Sequence, residues 1–88
     1  MSKRLEAMRA NPKAGWTIAD VKAICSEFGI ECRPARGGGS HFGIAHPTQR
    51  EKLTIPAKRP IKPIYIRDLV RFIDRVRDAP WTNSPIRS

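Results

Sequence analysis

The sequence predicts an α+β domain in which helices cover one face of a three-stranded antiparallel sheet. Apolar residues recur at helical spacing on both sides of a central region, and three short segments with strand-like alternation lie within that region. Short connections join the three segments, and such connections favour an antiparallel meander. With 88 residues, the chain has room for one domain with one core.

The first two helices are predicted largely from their boundaries. Ser2 to Ala10 forms a short leading helix that ends at Asn11-Pro12, because proline disrupts helix continuation. Thr17 is a favoured N-cap, and Asp20 completes an acidic variant of the capping box. Gly29 is placed to end this second helix. Its predicted apolar stripe consists of Ile18, Val21, Ile24, Cys25 and Phe28.

The three predicted strands span residues 30–34, 41–46 and 52–56, and residues 35–39 form a basic, glycine-rich loop. Alternate side chains of a strand point to opposite faces of its sheet. We expect one face to pack under the helices through Phe42, Ile44, Leu53 and Ile55. The opposite, open face then carries His41, Arg33, Lys52 and Thr54.

The last helix begins at Pro63, a residue tolerated in the first turn because its missing N–H costs little there. Its predicted buried stripe consists of Ile66, Leu69, Val70, Ile73 and Val76. Arg67, Arg71 and Arg75 lie at four-residue steps on an exposed face. Two interpretations of these arginines stay open, contact with a partner or a solvated face paired with Asp68, Asp74 and Asp78.

These elements divide the chain into an N-terminal arm over 1–15, a domain over 16–78 and a loosely ordered tail over 79–88. The domain has the order helix, strand, strand, strand, helix, with both helices on one face of the sheet. This αβββα layout is that of double-stranded-RNA-binding domains, which read the shape of A-form RNA.

The charge balance favours a polyanionic partner. The formal net charge is +9, and residues 30–62 carry seven Lys/Arg against two Asp/Glu, a net charge of +5. Excess Lys and Arg give affinity for phosphate backbones. Solubility alone is the alternative explanation, but the positive charge coincides with the glycine-rich loop, which favours nucleic-acid binding. No apolar run approaches the roughly 18 residues of a membrane span. We therefore expect a cytoplasmic protein with no membrane partner.

The cysteines do not predict a metal site. Cys25 and Cys32 have a spacing that matches no common zinc motif, and the two histidines are scattered. We expect both thiols to act as small buried apolar groups. Neither a metal nor a cofactor is expected.

One basic segment has the groups needed for work on RNA. His41 can give or take a proton near pH 7, as imidazoles do, and cations beside it would stabilise charge on a phosphate. Ser40 and the amides of Gly38 and Gly39 are candidates for holding phosphate oxygens. His46 falls on the face opposite His41, and we predict a structural role for it. The cationic candidates for RNA binding are Arg33, Arg36, Lys52, Lys58 and Arg59.

A set of short motifs resembles the HicA toxins of bacterial type II toxin–antitoxin systems. The motifs are Gly38-Gly39-Ser40-His41, Leu53-Thr54-Ile55-Pro56 and Ile61-Lys62-Pro63, within a resemblance that covers roughly 17–76. The resemblance implies a ribosome-independent mRNA interferase, with mRNA as substrate and a HicB-type antitoxin as partner. It also implies that His41 is the catalytic residue. Many relatives carry a second histidine where this chain has Phe42, so the resemblance assigns no second catalytic group.

Two other classes of function stay open. A non-catalytic RNA- or DNA-binding module would use the same fold and charge without cleaving its ligand. An interaction adaptor would instead dock an acidic partner through Arg67, Arg71 and Arg75.

Overall fold

The described part of the chain is an α+β structure with three helices and one three-stranded antiparallel sheet. A computed structural model describes residues 2–35 and 40–79. The elements are α1 (Lys3–Ala10), α2 (Ile18–Glu27), β1 (Glu31–Pro34), β2 (His41–Ala45), β3 (Leu53–Pro56) and α3 (Pro63–Asp78). The predicted element order is confirmed, with strand ends that differ by one residue from the predicted ones.

The sheet is a meander in the order β1-β2-β3, as predicted. Gly43 at the centre of β2 lies opposite Arg33 of β1 and Thr54 of β3. Because directly opposed residues of an antiparallel pair point to the same face, these three residues share one face of the sheet. Ile44 and Ile55 point to the other face and are completely buried.

The predicted boundaries of α2 are confirmed by its hydrogen bonds. The Thr17 side chain accepts from the backbone N–H of Asp20, and the Asp20 carboxylate accepts from the backbone N–H of Thr17. This reciprocal pair satisfies two amides that have no partner within the helix. Gly29 follows the C-cap Phe28 with φ of 66°, a left-handed conformation that glycine adopts without a Cβ penalty.

The core lies between the sheet and the helices, and α3 supplies more of its side chains than any other element. All five residues of the predicted α3 stripe are buried, and so is Phe72, which that stripe did not include. Helix α1 packs on α3 and buries Leu5 and Met8 in the same core. The burial of Phe72 is explained by this packing, because α3 contacts both the sheet and α1 and so needs a wider apolar surface than one stripe.

Two ion pairs join α1 to the other helices. Arg9 donates two hydrogen bonds to the Asp74 carboxylate of α3, at 2.8 and 2.7 Å, and Arg4 donates to Glu27 of α2. Asp74 therefore pairs with α1, contrary to the interpretation in which it neutralises the arginines of α3. The Arg9 guanidinium lowers the pKa of the Asp74 carboxyl below its usual value.

The turn between β2 and β3 is held by the second histidine. The backbone N–H of Thr48 donates to His46 Nδ1 at 3.2 Å, and the Thr48 hydroxyl oxygen lies 2.8 Å from the same nitrogen. The structural role predicted for His46 is consistent with these contacts.

Some predictions fall on parts of the chain that the structure does not describe. They concern residues 36–39, which include Arg36, Gly38 and Gly39, and the predicted tail beyond Ala79. Within the described ranges, none of the helices combines the length and the apolar character needed to cross a bilayer.

Candidate nucleic-acid interface

The face of the sheet that the helices leave uncovered is the candidate interface. We call it the open face. The register places His41, Gly43 and Ala45 of β2 on it, because alternate residues of a strand share a face. Arg33 and Thr54 lie on either side of Gly43. The predicted division of side chains between the two faces is confirmed at these positions.

The centre of the open face is concave. A depression of about 240 Å³ runs across the sheet, with Gly43 between its two sides. It is lined by Glu31, Arg33, Pro34, Ala35, Gly43, Ala45, Lys52 and Thr54. The depression therefore brings together two of the predicted cations, Arg33 and Lys52, which are far apart in the sequence.

His41 begins β2 at one end of this depression, and its side chain is exposed. The Ala35 amide donates to the His41 carbonyl at 2.8 Å, and the Ala57 amide donates to the carbonyl of Ser40. The backbone at His41 is thus held by the chain leaving β1 on one side and by the chain leaving β3 on the other. These bonds fix the start of β2, so the imidazole projects from an ordered strand end.

Charge on the open face is mostly positive. Arg33 and Lys52 are exposed, and Arg33 Nε lies 3.4 Å from a Glu31 carboxylate oxygen. The Arg33 side chain is 76% exposed, so this ion pair is weak in water and leaves the guanidinium accessible to a phosphate. Lys58 and Arg59 are exposed in the loop that follows β3.

The structure brings together only part of the predicted site. Arg33 and Lys52 line one depression, with His41 on the same face and Ser40 next to it in the chain. Lys58 follows Ala57, the residue bonded to Ser40, so its loop leaves the sheet beside the His41 end of β2. Among the described residues, no group of three or more His, Cys, Asp or Glu side chains is arranged to hold a metal ion.

The covered face contains two neighbouring thiols, which the sequence predicts to be no more than small buried apolar groups. Cys25 of α2 is buried and Cys32 of β1 is half-buried, and each thiol shifts the pKa of the other. The Cys25 thiol, together with a smaller effect of the nearby Lys22 ammonium, lowers the pKa of Cys32 to about 7. The interaction with Cys32, together with burial, raises the pKa of Cys25. The seven-residue spacing across a helix, turn and strand was the available signal for this contact.

Lys22 also covers the aromatic residue that follows His41. Its ammonium nitrogen lies 4.9 Å from the centroid of the Phe42 ring, within range of a cation–π contact. Phe42 points to the helix side of the sheet, as predicted, but is only partly buried there. Phe42 is therefore directed away from the open face and does not add to the groups around His41.

The arginines of α3 form a separate exposed surface. Arg67, Arg71 and Arg75 are all exposed, and Arg71 lies 3.7 Å from the Asp68 carboxylate. Helix α3 packs against the covered face of the sheet, and none of these arginines lines the depression around Gly43.

The open face combines an exposed imidazole, two cations and a hydroxyl around a shallow depression. Such groups can bind a phosphodiester and transfer protons to and from it. In comparisons with known proteins, no family model, no curated protein and no solved structure matches this chain.

Proposed function

We propose that the chain is a HicA-type toxin, an endoribonuclease that cleaves mRNA without metal or ribosomes and is inhibited by a HicB-type antitoxin. One observation carries the proposal: His41 is exposed on the same open face as Arg33 and Lys52, while helices cover the other face. The αβββα order supports kinship with double-stranded-RNA-binding domains. Its substrate would then be met in the cytoplasm.

The proposed reaction is an internal transfer at phosphorus. The 2′-oxygen loses its proton to a general base and bonds to the adjacent phosphorus, while the bond from phosphorus to the 5′-oxygen breaks. The products are a 2′,3′-cyclic phosphate and a 5′-hydroxyl end, the latter formed when an acid protonates the leaving oxygen. His41 fills one of these two proton-transfer roles. Arg33 and Lys52 stabilise the negative charge that develops on the phosphate oxygens.

The antitoxin part of the proposal follows from charge and exposure. A partner that covered the open face would exclude RNA from His41, and an acidic partner would be attracted by the net charge of +9. The same surface would then bind either RNA or the antitoxin.

The test is cleavage of a long mRNA in EDTA, without ribosomes, by wild type, His41→Ala and His46→Ala. We expect His41→Ala to lose about 10²- to 10⁴-fold in rate, the usual contribution of a general acid or base. His46→Ala is the matched control, because that imidazole bonds Thr48 in a turn and should leave cleavage nearly unchanged. Thermal melting of each variant checks that the fold is kept.

Other outcomes select other functions. Equal loss in both histidine variants, or none in either, would remove His41 from the chemistry. RNA binding by wild type with no cleavage would favour the non-catalytic nucleic-acid-binding module. A 2′,3′-cyclic phosphate on the 5′ fragment would support the internal transfer described above.

A further inference from the structure

Gly43 occupies a position where the fold does not require glycine. It lies within β2 in extended backbone, and an added Cβ would meet only the Arg33 carbonyl oxygen, at 3.9 Å. That distance is an ordinary van der Waals contact. Glycine in a strand interior weakens the strand, and it often marks a place where a ligand approaches the backbone closely. Packing and backbone conformation therefore leave this glycine unexplained, whereas ligand approach explains it.

The missing side chain creates the floor of the depression on the open face. Arg33 and Thr54 lie directly opposite Gly43 on the two neighbouring strands, so their side chains stand on either side of a bare peptide. Any Cβ at position 43 would project into the space of about 240 Å³ between them. His41 precedes this floor by two residues on the same face.

The size and lining of the depression fit one part of a nucleotide. Its volume is below the roughly 300–1,000 Å³ of pockets that enclose whole drug-sized ligands. A flat peptide floor can support a planar base. The Arg33 guanidinium and the Thr54 hydroxyl can hydrogen-bond to base edges, while Lys52 supplies a charge for a phosphate. Single-stranded RNA is usually recognised through such splayed-out bases.

We propose that Gly43 is the floor of a pocket for one nucleobase of single-stranded RNA, and that this pocket sets the base preference beside the bond that is cleaved. This inference rests on the proposed nuclease function for its consequence in cleavage. Binding of a nucleotide in the pocket does not depend on catalysis.

The first experiment measures kcat/KM on short RNAs derived from a cleaved mRNA sequence. Each nucleotide flanking the scissile bond is replaced in turn by the other three bases and by an abasic residue. We expect wild type to favour one base about ten- to hundredfold over the abasic substrate, the discrimination of a good base contact. Gly43→Val should lose this preference and cleave all substrates at a similar, lower rate. An unchanged preference in Gly43→Val would overturn the proposal.

Two controls separate blocking of the pocket from damage to the fold. Valine is a strand-favouring residue, so Gly43→Val should keep the melting temperature of wild type or raise it. Ala19→Val also introduces a valine, but on the exposed side of α2, and should keep the base preference. Gly43→Ala adds one methyl group and should lose part of the preference.

A second experiment distinguishes failure of the pocket from failure of the nuclease. ¹⁵N-labelled His41→Ala protein is titrated with each of the four nucleoside 5′-monophosphates, and amide chemical shifts are followed. Shifts centred on Gly43 and Thr54 that depend on the base, and that Gly43→Val abolishes, would support the pocket even if wild type cleaves no RNA. Shifts that are the same for all four nucleotides, or that persist in Gly43→Val, would overturn it while leaving cleavage by His41 unaffected.

Discussion

The two faces of the sheet differ in burial, and two adjacent residues of β2 show the difference. Ile44 is completely buried under the helices, whereas Gly43 beside it faces the open side between Arg33 and Thr54. Apolar burial stabilises the fold in proportion to the area removed from water, and the open face contributes little of that area. Stability therefore depends mainly on one face of the sheet. The residues of the other face are free to vary with the ligand.

The largest expected effect is on stability, and it should be confined to the covered face. Ile44→Ala removes buried methyl groups and leaves a cavity, which should lower the free energy of unfolding by about 2–5 kcal/mol. Thr54→Ala, one strand away on the open face, should change it by less than about 0.5 kcal/mol. Urea unfolding of both variants measures the difference. A similar loss of unfolding free energy in the two variants would show that the stability of the fold depends on both faces of the sheet.

Cys32 lies at the edge of the covered face, because its side chain points toward the helices and is only half-buried. We expect its alkylation by iodoacetamide to have a midpoint near pH 7, since the Cys25 thiol and Lys22 stabilise the thiolate. Below that pH the thiol is protonated and the rate should fall about tenfold per unit. The rate is measured by mass spectrometry after peptide digestion.

Two variants test which groups lower the pKa of Cys32. Cys25→Ala removes the larger cause and should move the midpoint up toward the ordinary value of a cysteine, and Lys22→Met should move it up by less. A midpoint that neither variant changes would contradict the thiol pair.

The smallest expected effect distinguishes the two basic surfaces of the molecule. If RNA lies on the open face, Arg33→Ala and Lys52→Ala should each reduce the slope of log K against log salt by about 0.7, the loss of one phosphate contact on a single strand. Arg67→Ala and Arg75→Ala remove equal charge from the exposed side of α3 and should leave that slope unchanged. Fluorescence anisotropy with a labelled RNA over 50–200 mM salt provides the measurement. A slope that responds only to the α3 variants would move the RNA site to that helix.

Local signals in the sequence were sufficient for much of the fold. Thr17 and Asp20 specify a capping box within four residues, and Gly29 ends the same helix by adopting positive φ. The side of the sheet on which Arg33 and His41 lie follows from strand periodicity once the buried face is chosen. Each of these features depends on neighbours close in the chain, so the sequence pattern alone predicts it.

The sequence did not predict the features that depend on tertiary packing. Asp74 pairs with Arg9, which lies 65 residues earlier, and no periodicity within α3 reveals that partner. Phe72 is buried because α1 covers a second side of α3. The depression on the open face forms only when all three strands pair in register. Its lining residues therefore could not be identified from the sequence before the pairing was known.

The packing of α1 on α3 has a consequence for the order in which the chain folds during synthesis. Met8 is synthesised 55 residues before Pro63, where the helix that buries it begins. Ribosomes add about 5–20 residues per second, so α1 waits several seconds before its partner emerges. Until then the sheet lacks the six buried side chains of α3, and before Ala57 is added the start of β2 also lacks the amide that anchors Ser40. The groups around His41 are therefore assembled only after α3 has been synthesised, and a nascent chain that lacks α3 does not present them.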